Sequence, residues 1–250
     1  MHYKFIKKII EAFGFKLIDK NIIKNDRLIS KHSFLSLDKV LKNLFLNNNI
    51  KFIVQIGAND GQRFDMINKF IKNFKPSVVF VEPIKSNFIN LKNFYYNQKN
   101  LFYENAAISV NNEISELYKV NENNLNLYDD HVLGITSFDK NHLIKHGVKK
   151  KHIIKEKVNT ISILSLLNKY SVQNFDLLLI DTEGYDSLIV KDFLLNSKIK
   201  PIIIFEYIHS KQEFFSEAVK LLISNKYILF KLDENIICFP ENRKDEISFN

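Results

Sequence analysis

Over the first 48 residues the apolar positions recur at helical spacing. Phe5, Ile6, Ile9, Ile10 and Phe13 are separated by Lys7, Lys8 and Glu11, and Gly14 marks a stop. A second stripe, Leu37, Val40, Leu41, Leu44 and Phe45, predicts a helix over 36–47 with an N-cap in Ser36-Leu37-Asp38. Together these helices read as an N-terminal cap over 1–48, followed by one larger domain over 49–250. The first helix is also basic and amphipathic, so contact with a membrane surface or a dimer partner is the alternative to packing on a core.

From residue 51 the period shortens. Lys51-Phe52-Ile53-Val54-Gln55-Ile56 is a β-branched run ending in Gly57, and a helix is expected over 62–73. Strand 77–81, helix 86–97 and strand 101–105 follow. The alternation resumes with strand 175–180, helix 186–195, strand 201–207 and helix 211–224. Segments 227–231 and 235–239 read as a closing antiparallel pair about a turn at Leu232-Asp233-Glu234. Alternating strands and helices predict an α/β, doubly wound sheet covered on both faces. Between the two halves, 110–160 reads as a loop-rich insertion. It holds an irregular polar stretch at 121–130, a short helix over 139–146 capped by Gly147, and a basic run at 149–152.

The chain has 250 residues, 46% of them hydrophobic, which is the composition of a folded domain and excludes bulk disorder. A single cysteine, Cys238, excludes a disulfide framework and a multi-cysteine zinc site and fits a reducing compartment. No run is long and apolar enough to span a membrane, and charges interrupt the N-terminal stretch before any cleavage site, so a cytoplasmic location is expected. The formal charge of +8 permits an anionic partner. The lysines are scattered and no stretch interleaves arginine with aromatics, so specific nucleic-acid binding is not expected.

Candidate chemistry collects at strand ends. Gly57-Ala58-Asn59-Asp60-Gly61 joins the first strand to its helix, where glycines let backbone amides approach a ligand. The spacing departs from G-x-G-x-x-G. Glu82 ends the next strand about twenty residues on, the place where an acid accepts hydrogen bonds from ribose hydroxyls. Later, Asp181 and Glu183 leave the strand over 175–180, and Glu206 and His209 leave its neighbour. Carboxylates and a histidine at one sheet edge can bind a divalent metal, orient a hydroxyl or act as a base.

The blocks Gln55-Ile56-Gly57-Ala58-Asn59-Asp60-Gly61, Val81-Glu82-Pro83, Asn105-Ala106-Ala107-Ile108-Ser109 and Ile180-Asp181-Thr182-Glu183-Gly184-Tyr185-Asp186 resemble, in this order, those of FkbM-type methyltransferases. The resemblance covers roughly residues 50–210. It implies the class I fold, a Rossmann-like seven-stranded mixed sheet whose last strand is antiparallel, and S-adenosylmethionine as cofactor. It implies the methionine end over Gly57 and Gly61, the ribose on Glu82 beside Pro83, the adenine near Asn105 and Ala106, and Asp181 near the methyl group. Where the class often has an acid, this chain has Gln55, so Asp60 or Asp181 is expected to face the cofactor's ammonium. The expected reaction is O-methylation of a saccharide, glycolipid or secondary metabolite. In that reaction Asp181, Glu183, Glu206 and His209 form the catalytic edge, and Mg²⁺ on the three acids is the alternative to His209 as base. Insertion residues His131, Thr136, Ser137 and His142 would cover the acceptor. A nucleotide-binding oxidoreductase and a non-enzymatic nucleic-acid-binding module on the same fold are the alternatives.

Overall fold

The computed structural model describes residues 36–246 apart from 111, 112, 130, 131 and 133. The helix expected over residues 5–13 lies outside the described residues, as does His131. The chain divides after Ser36, and Leu37–Asn250 forms one compact unit.

The short apolar runs form the expected sheet. In chain order its strands are β1 (Phe52–Ile56), β2 (Ser77–Val81), β3 (Leu101–Glu104), β8 (Leu177–Ile180), β9 (Ile202–Glu206), β10 (Tyr227–Leu232) and β11 (Asn235–Pro240). They lie in the order β10-β11-β9-β8-β1-β2-β3. β11 is antiparallel to both neighbours, and the other pairings along β9-β8-β1-β2-β3 are parallel. Side chains of a strand alternate between faces, so each run feeds two cores. On one face Val54, Ile56, Leu178, Ile180, Ile203 and Phe205 pack with α5 (Ile163–Lys169), α6 (Asp186–Asn196) and α7 (Gln212–Ser224). On the other, Ile53, Val78, Phe80, Leu177, Leu179 and Ile204 pack with α1 (Leu37–Leu46), α2 (Asn68–Phe74) and α3 (Lys85–Phe94).

Three expectations change. α1 buries the whole predicted stripe, Leu37, Val40, Leu41, Leu44 and Phe45, in the same core as the sheet, so it belongs to the unit it was expected to cap. The helix after β1 begins at Asn68 rather than residue 62. The carboxylate of Asp60 accepts the backbone N–H groups of Gln62 and Arg63, Asp65 accepts that of Ile67, and Phe64 sits at φ 60°. These local bonds compete with helix and hold the segment as turns.

The third change concerns 110–160, which is a sheet rather than mostly loop. β4 (Ala107–Ile108), β5 (Ile114–Val120), β6 (Thr136–Ser137) and β7 (Ile153–Ile161) form a four-stranded sheet, order β4-β7-β5-β6. β5 and β7 pair antiparallel from Ile114↔Asn159 to Val120↔Ile153. Leu117 and Val158 are buried with Ile84 and Ala107, and Val120 with Val132, Ile135, Leu143 and Val148, while other positions carry charge pairs such as Lys155–Glu116 at 2.5 Å. That half-polar pattern reads as loop in sequence, because each strand is stabilised by its cross-strand partner. The short helix appears as α4 (Lys140–Lys145), with the Asp139 side chain accepting the Asn141 N–H at 2.9 Å and Gly147 at φ 85° beyond its end. No helix among the described residues is long and apolar enough to cross a membrane.

Candidate functional site

The chain runs from β1 outward to β2 and β3, then returns to lay β8 on the other side of β1. The carboxyl ends of β1 and β8 therefore flank the point where strand order reverses, where open α/β sheets bind ligands. A cavity of about 480 Å³ opens over these ends, within the size range of small-molecule sites. Gly57 makes the close approach possible. It has φ 81°, and a Cβ there would lie 1.7 Å from the Asp181 carbonyl oxygen.

The β1–β2 side holds most of the expected cofactor residues. Gln55 is 3% exposed; its Nε2 donates to Asp65 Oδ2 at 3.1 Å, and its Oε1 has no hydrogen-bond partner among the described residues. Glu82 accepts the Asn59 N–H on Oε2 and the Ile84 N–H on Oε1, both at 2.9 Å. Burial pushes its carboxyl up to about 7, with the hydrogen bonds from Ile84, Asn59 and Asn87 opposing. Gln55, Gly57, Asn59, Glu82, Pro83 and Ala106 all line the cavity.

Three expected residues do not line it. Asp60 is spent on the turn, with Oδ2 accepting from Arg63 Nε at 2.8 Å. Burial raises the Asp60 pKa, but the hydrogen bonds from Arg63 and Gln62 and the Arg63 charge outweigh this and hold it below the usual carboxylate range. Gly61, at φ 73°, is a packing glycine, since a Cβ would meet Leu91 at 2.6 Å and Tyr95 at 3.0 Å. Asn105 donates from Nδ2 to the carbonyls of Glu82 and Pro83 at 2.9 and 3.0 Å, tying the ends of β2 and β3.

The β8–β9 side brings Asp181, Glu183, Glu206 and His209 onto one wall of the cavity. Glu206 closes β9 beside Asn235 of β11, and His209 Nε2 lies 3.7 Å from Glu206 Oε1. Glu183 holds a left-handed backbone at φ 54°, unusual for a non-glycine residue and of the kind that clusters at functional sites. Its Oε2 lies 2.9 Å from His142 Nε2. Asp186 is fully buried beneath this loop and accepts from Thr182 Oγ1 at 2.9 Å and from the Gly184 N–H at 3.2 Å. Desolvation pushes the Glu206 carboxyl up to about 9, and the charges of Asp181, Glu183 and Asp186 add to it. Asp181 is also raised, by burial first and then by Asp186 and Glu183. Burial and the charges of His142 and His146 lower the His209 pKa, against the pull of Glu183 and Glu234.

The insertion forms another wall. Thr136 lines the cavity, and Ser137 Oγ donates to the Glu183 carbonyl at 3.3 Å. The rings of His142, His146 and His209 lie 4.6–4.9 Å apart, centroid to centroid. Sequence reasoning missed His146, although His142 and His146 stand one helical turn apart, a spacing that presents both to one point. It also missed Asp65 and Asn87, both at the cavity. Asp65 lies ten residues beyond Gln55 on an irregular turn, and no spacing rule connects the two. Burial raises the Asp65 pKa.

The strand order, the glycine turn after β1, the acid ending β2 and the carboxylates after β8 define a class I methyltransferase fold. The family model "Methyltransferase FkbM domain" matches residues 55–229, and the chain belongs to that family. No protein of curated function matches the chain. Among solved structures it is similar to methyltransferase FkbM from Methylobacillus flagellatus KT, at 10% identity and TM-score 0.45, over 76% of this chain and 44% of that one. The chain thus spans less than half the length of that structure. It is also similar to an O-methyltransferase from Bacillus cereus in complex with SAH, at 8% identity and TM-score 0.43, over 93% and 95% of the two chains. A third is fibrillarin from Aeropyrum pernix with natively bound S-adenosyl-L-methionine, at 10% identity and TM-score 0.40, over 76% and 65%.

Proposed function

We propose that the protein is an S-adenosylmethionine-dependent O-methyltransferase acting on a hydroxyl of a saccharide, glycolipid or related polyol. The observation that carries this reading is the pairing, in one cavity, of an unpartnered buried amide oxygen at Gln55 with an acid-rich edge at β8 and β9. A buried acceptor without a donor is costly, and the ammonium of the cofactor is a donor of the right charge. Gln55 Oε1 and Asp65 would hold that ammonium, Glu82 the ribose hydroxyls, and Pro83 and Ala106 would flank the adenine. S-adenosylmethionine supplies a methyl group already activated on a sulfonium. The protein must align the acceptor oxygen and take its proton. His209 is the proton acceptor, and the charge of Glu183 nearby stabilises the imidazolium that forms. The alternative of Mg²⁺ on Asp181, Glu183 and Glu206 has less support. The donor atoms that converge there are those of Glu183, Glu206 and His209, without Asp181. The +8 charge is assigned to composition rather than to a nucleic-acid partner.

The test uses methyl-labelled S-adenosylmethionine with a panel of free and nucleotide-linked sugars. Label is expected in product and stable to base, as in an ether. His209→Ala should lower turnover about 10²–10⁴-fold with the affinity for S-adenosylhomocysteine kept. Base-labile label would identify a carboxyl acceptor, and undiminished turnover would remove His209 from the chemistry.

A further inference from the structure

His142 and His146 at the end of α4 and His209 just beyond β9 meet where the insertion faces the sheet, and the reaction proposed above uses only one of them. His142, His146 and His209 each offer a donor atom, and these atoms lie within 4.8 Å of one another; the same holds for Glu183, Glu206 and His209. The two groups share His209. Donors bound to a common ion at about 2.1 Å stand about 3–4 Å apart, so small side-chain rotations would close either group on one ion.

Charge points the same way. The described residues lining the cavity include Asp65, Glu82, Asp181, Glu183, Glu206 and Glu234, with Arg63 against them. The Arg63 guanidinium is engaged by Asp60 at 2.8 Å. The rings meet tilted or edge to face, and these contacts alone bring no positive charge to the acids beside them. Imidazole nitrogen is a poor ligand for Mg²⁺ and Ca²⁺ and suits first-row transition ions.

We propose that His142, His146 and His209, with Glu183 and Glu206, bind one divalent transition ion of the kind Zn²⁺ represents. His142 and His146 come from the insertion, His209 and Glu206 from the end of β9. The ion therefore clasps the insertion to the sheet edge. Glu183 is held in place by the Ser137 hydroxyl on its carbonyl and by the neighbouring His142 ring. A nitrogen that holds an ion cannot accept a proton, so occupancy and the base role of His209 exclude each other. The ion site is tested by binding alone, apart from turnover.

The full chain, freed of metal by chelator, is titrated with ZnCl₂ by calorimetry and with CoCl₂ by visible absorption. The expected result is one ion per chain, bound at micromolar concentration or tighter. Visible cobalt bands should appear, and millimolar Mg²⁺ should not compete. His146→Gln should weaken Zn²⁺ by about 100-fold or more and Glu206→Gln by about 10-fold or more. His152→Gln should leave it unchanged, because His152 bonds Tyr128 at 2.6 Å outside the cluster. Absent binding, or wild-type affinity in both His146→Gln and Glu206→Gln, overturns the proposal. The second variant decides should the first fail to fold. Failed zinc binding would leave the O-methylation reading standing, and absent methyl transfer by the metal-free chain would remove only that reading.

Discussion

Glu82 and Gln55 divide the labour at the cofactor end of the cavity, and the sequence describes them unequally. Glu82 ends β2 as its spacing predicts, and its two oxygens are already held by the N–H groups of Asn59 and Ile84. With the Asn87 side chain as a third donor, the carboxylate is fixed in place before any ligand arrives. Glu82→Ala should therefore weaken S-adenosylhomocysteine by about 2–4 kcal/mol in calorimetry, and unchanged affinity would move the ribose elsewhere. For Gln55 the sequence suggests a missing charge and looks to Asp60 or Asp181 for a substitute. The structure puts Asp65 against the Gln55 amide instead. Asp60 has the shorter sequence separation but is consumed by Arg63 and the turn. Which of two nearby acids faces the cavity is decided by backbone turns that have no periodic signature.

At the scale of elements, hydrophobic period located the strands of the seven-stranded sheet to within a few residues but misjudged α1 and the insertion. α1 shows the correct stripe, yet nothing in a stripe says which surface it meets. Here it shares one core with Ile53 and Val78 of the sheet and Ile71 of α2, and Leu44 is 1% exposed. Leu44→Ala should cost about 2–5 kcal/mol in denaturant unfolding of the whole chain. A cost below about 1 kcal/mol would make α1 a peripheral cap. The insertion went the other way. Its strands β5 and β7 carry few consecutive apolar residues, and their pairing spans some 40 residues of chain from Glu116 to Lys157. Such cross-strand partners are invisible to any local window. The same pairing delivers α4 and its histidines to the sheet edge.

For the molecule as a whole, the cavity is a concentration of carboxyls whose pKa values are raised by burial, and this sets a pH dependence. Glu82 rises from 4.5 to about 7. A carboxyl with a raised folded-state pKa contributes stability below about pH 4.5 and loses it as pH climbs through about 7. Ribose hydroxyls donate to the ionised form, so binding releases a proton below about pH 7. The increase in Tm given by saturating S-adenosylhomocysteine should therefore be larger at about pH 7.5 than at about pH 5.5. A flat or reversed trend in thermal unfolding would show that Glu82 does not accept the ribose.

The sequence by itself determined the alternation of strands and helices, the glycine turn after β1 and the acids at the ends of β2, β8 and β9. These are local properties, written in period, propensity and position at a strand terminus. Its ordered motifs also carried the resemblance to the FkbM family. Tertiary structure alone decided that Gly61 and Asn105 serve packing while Asp65 and His146 reach the cavity, and that α1 shares the sheet's core. It also decided that three histidines from two distant segments meet over Glu183 and Glu206. Those outcomes depend on which surfaces come together after the strands are laid side by side, and a side chain's partners across 60 residues of chain leave no periodic trace in the residues around it.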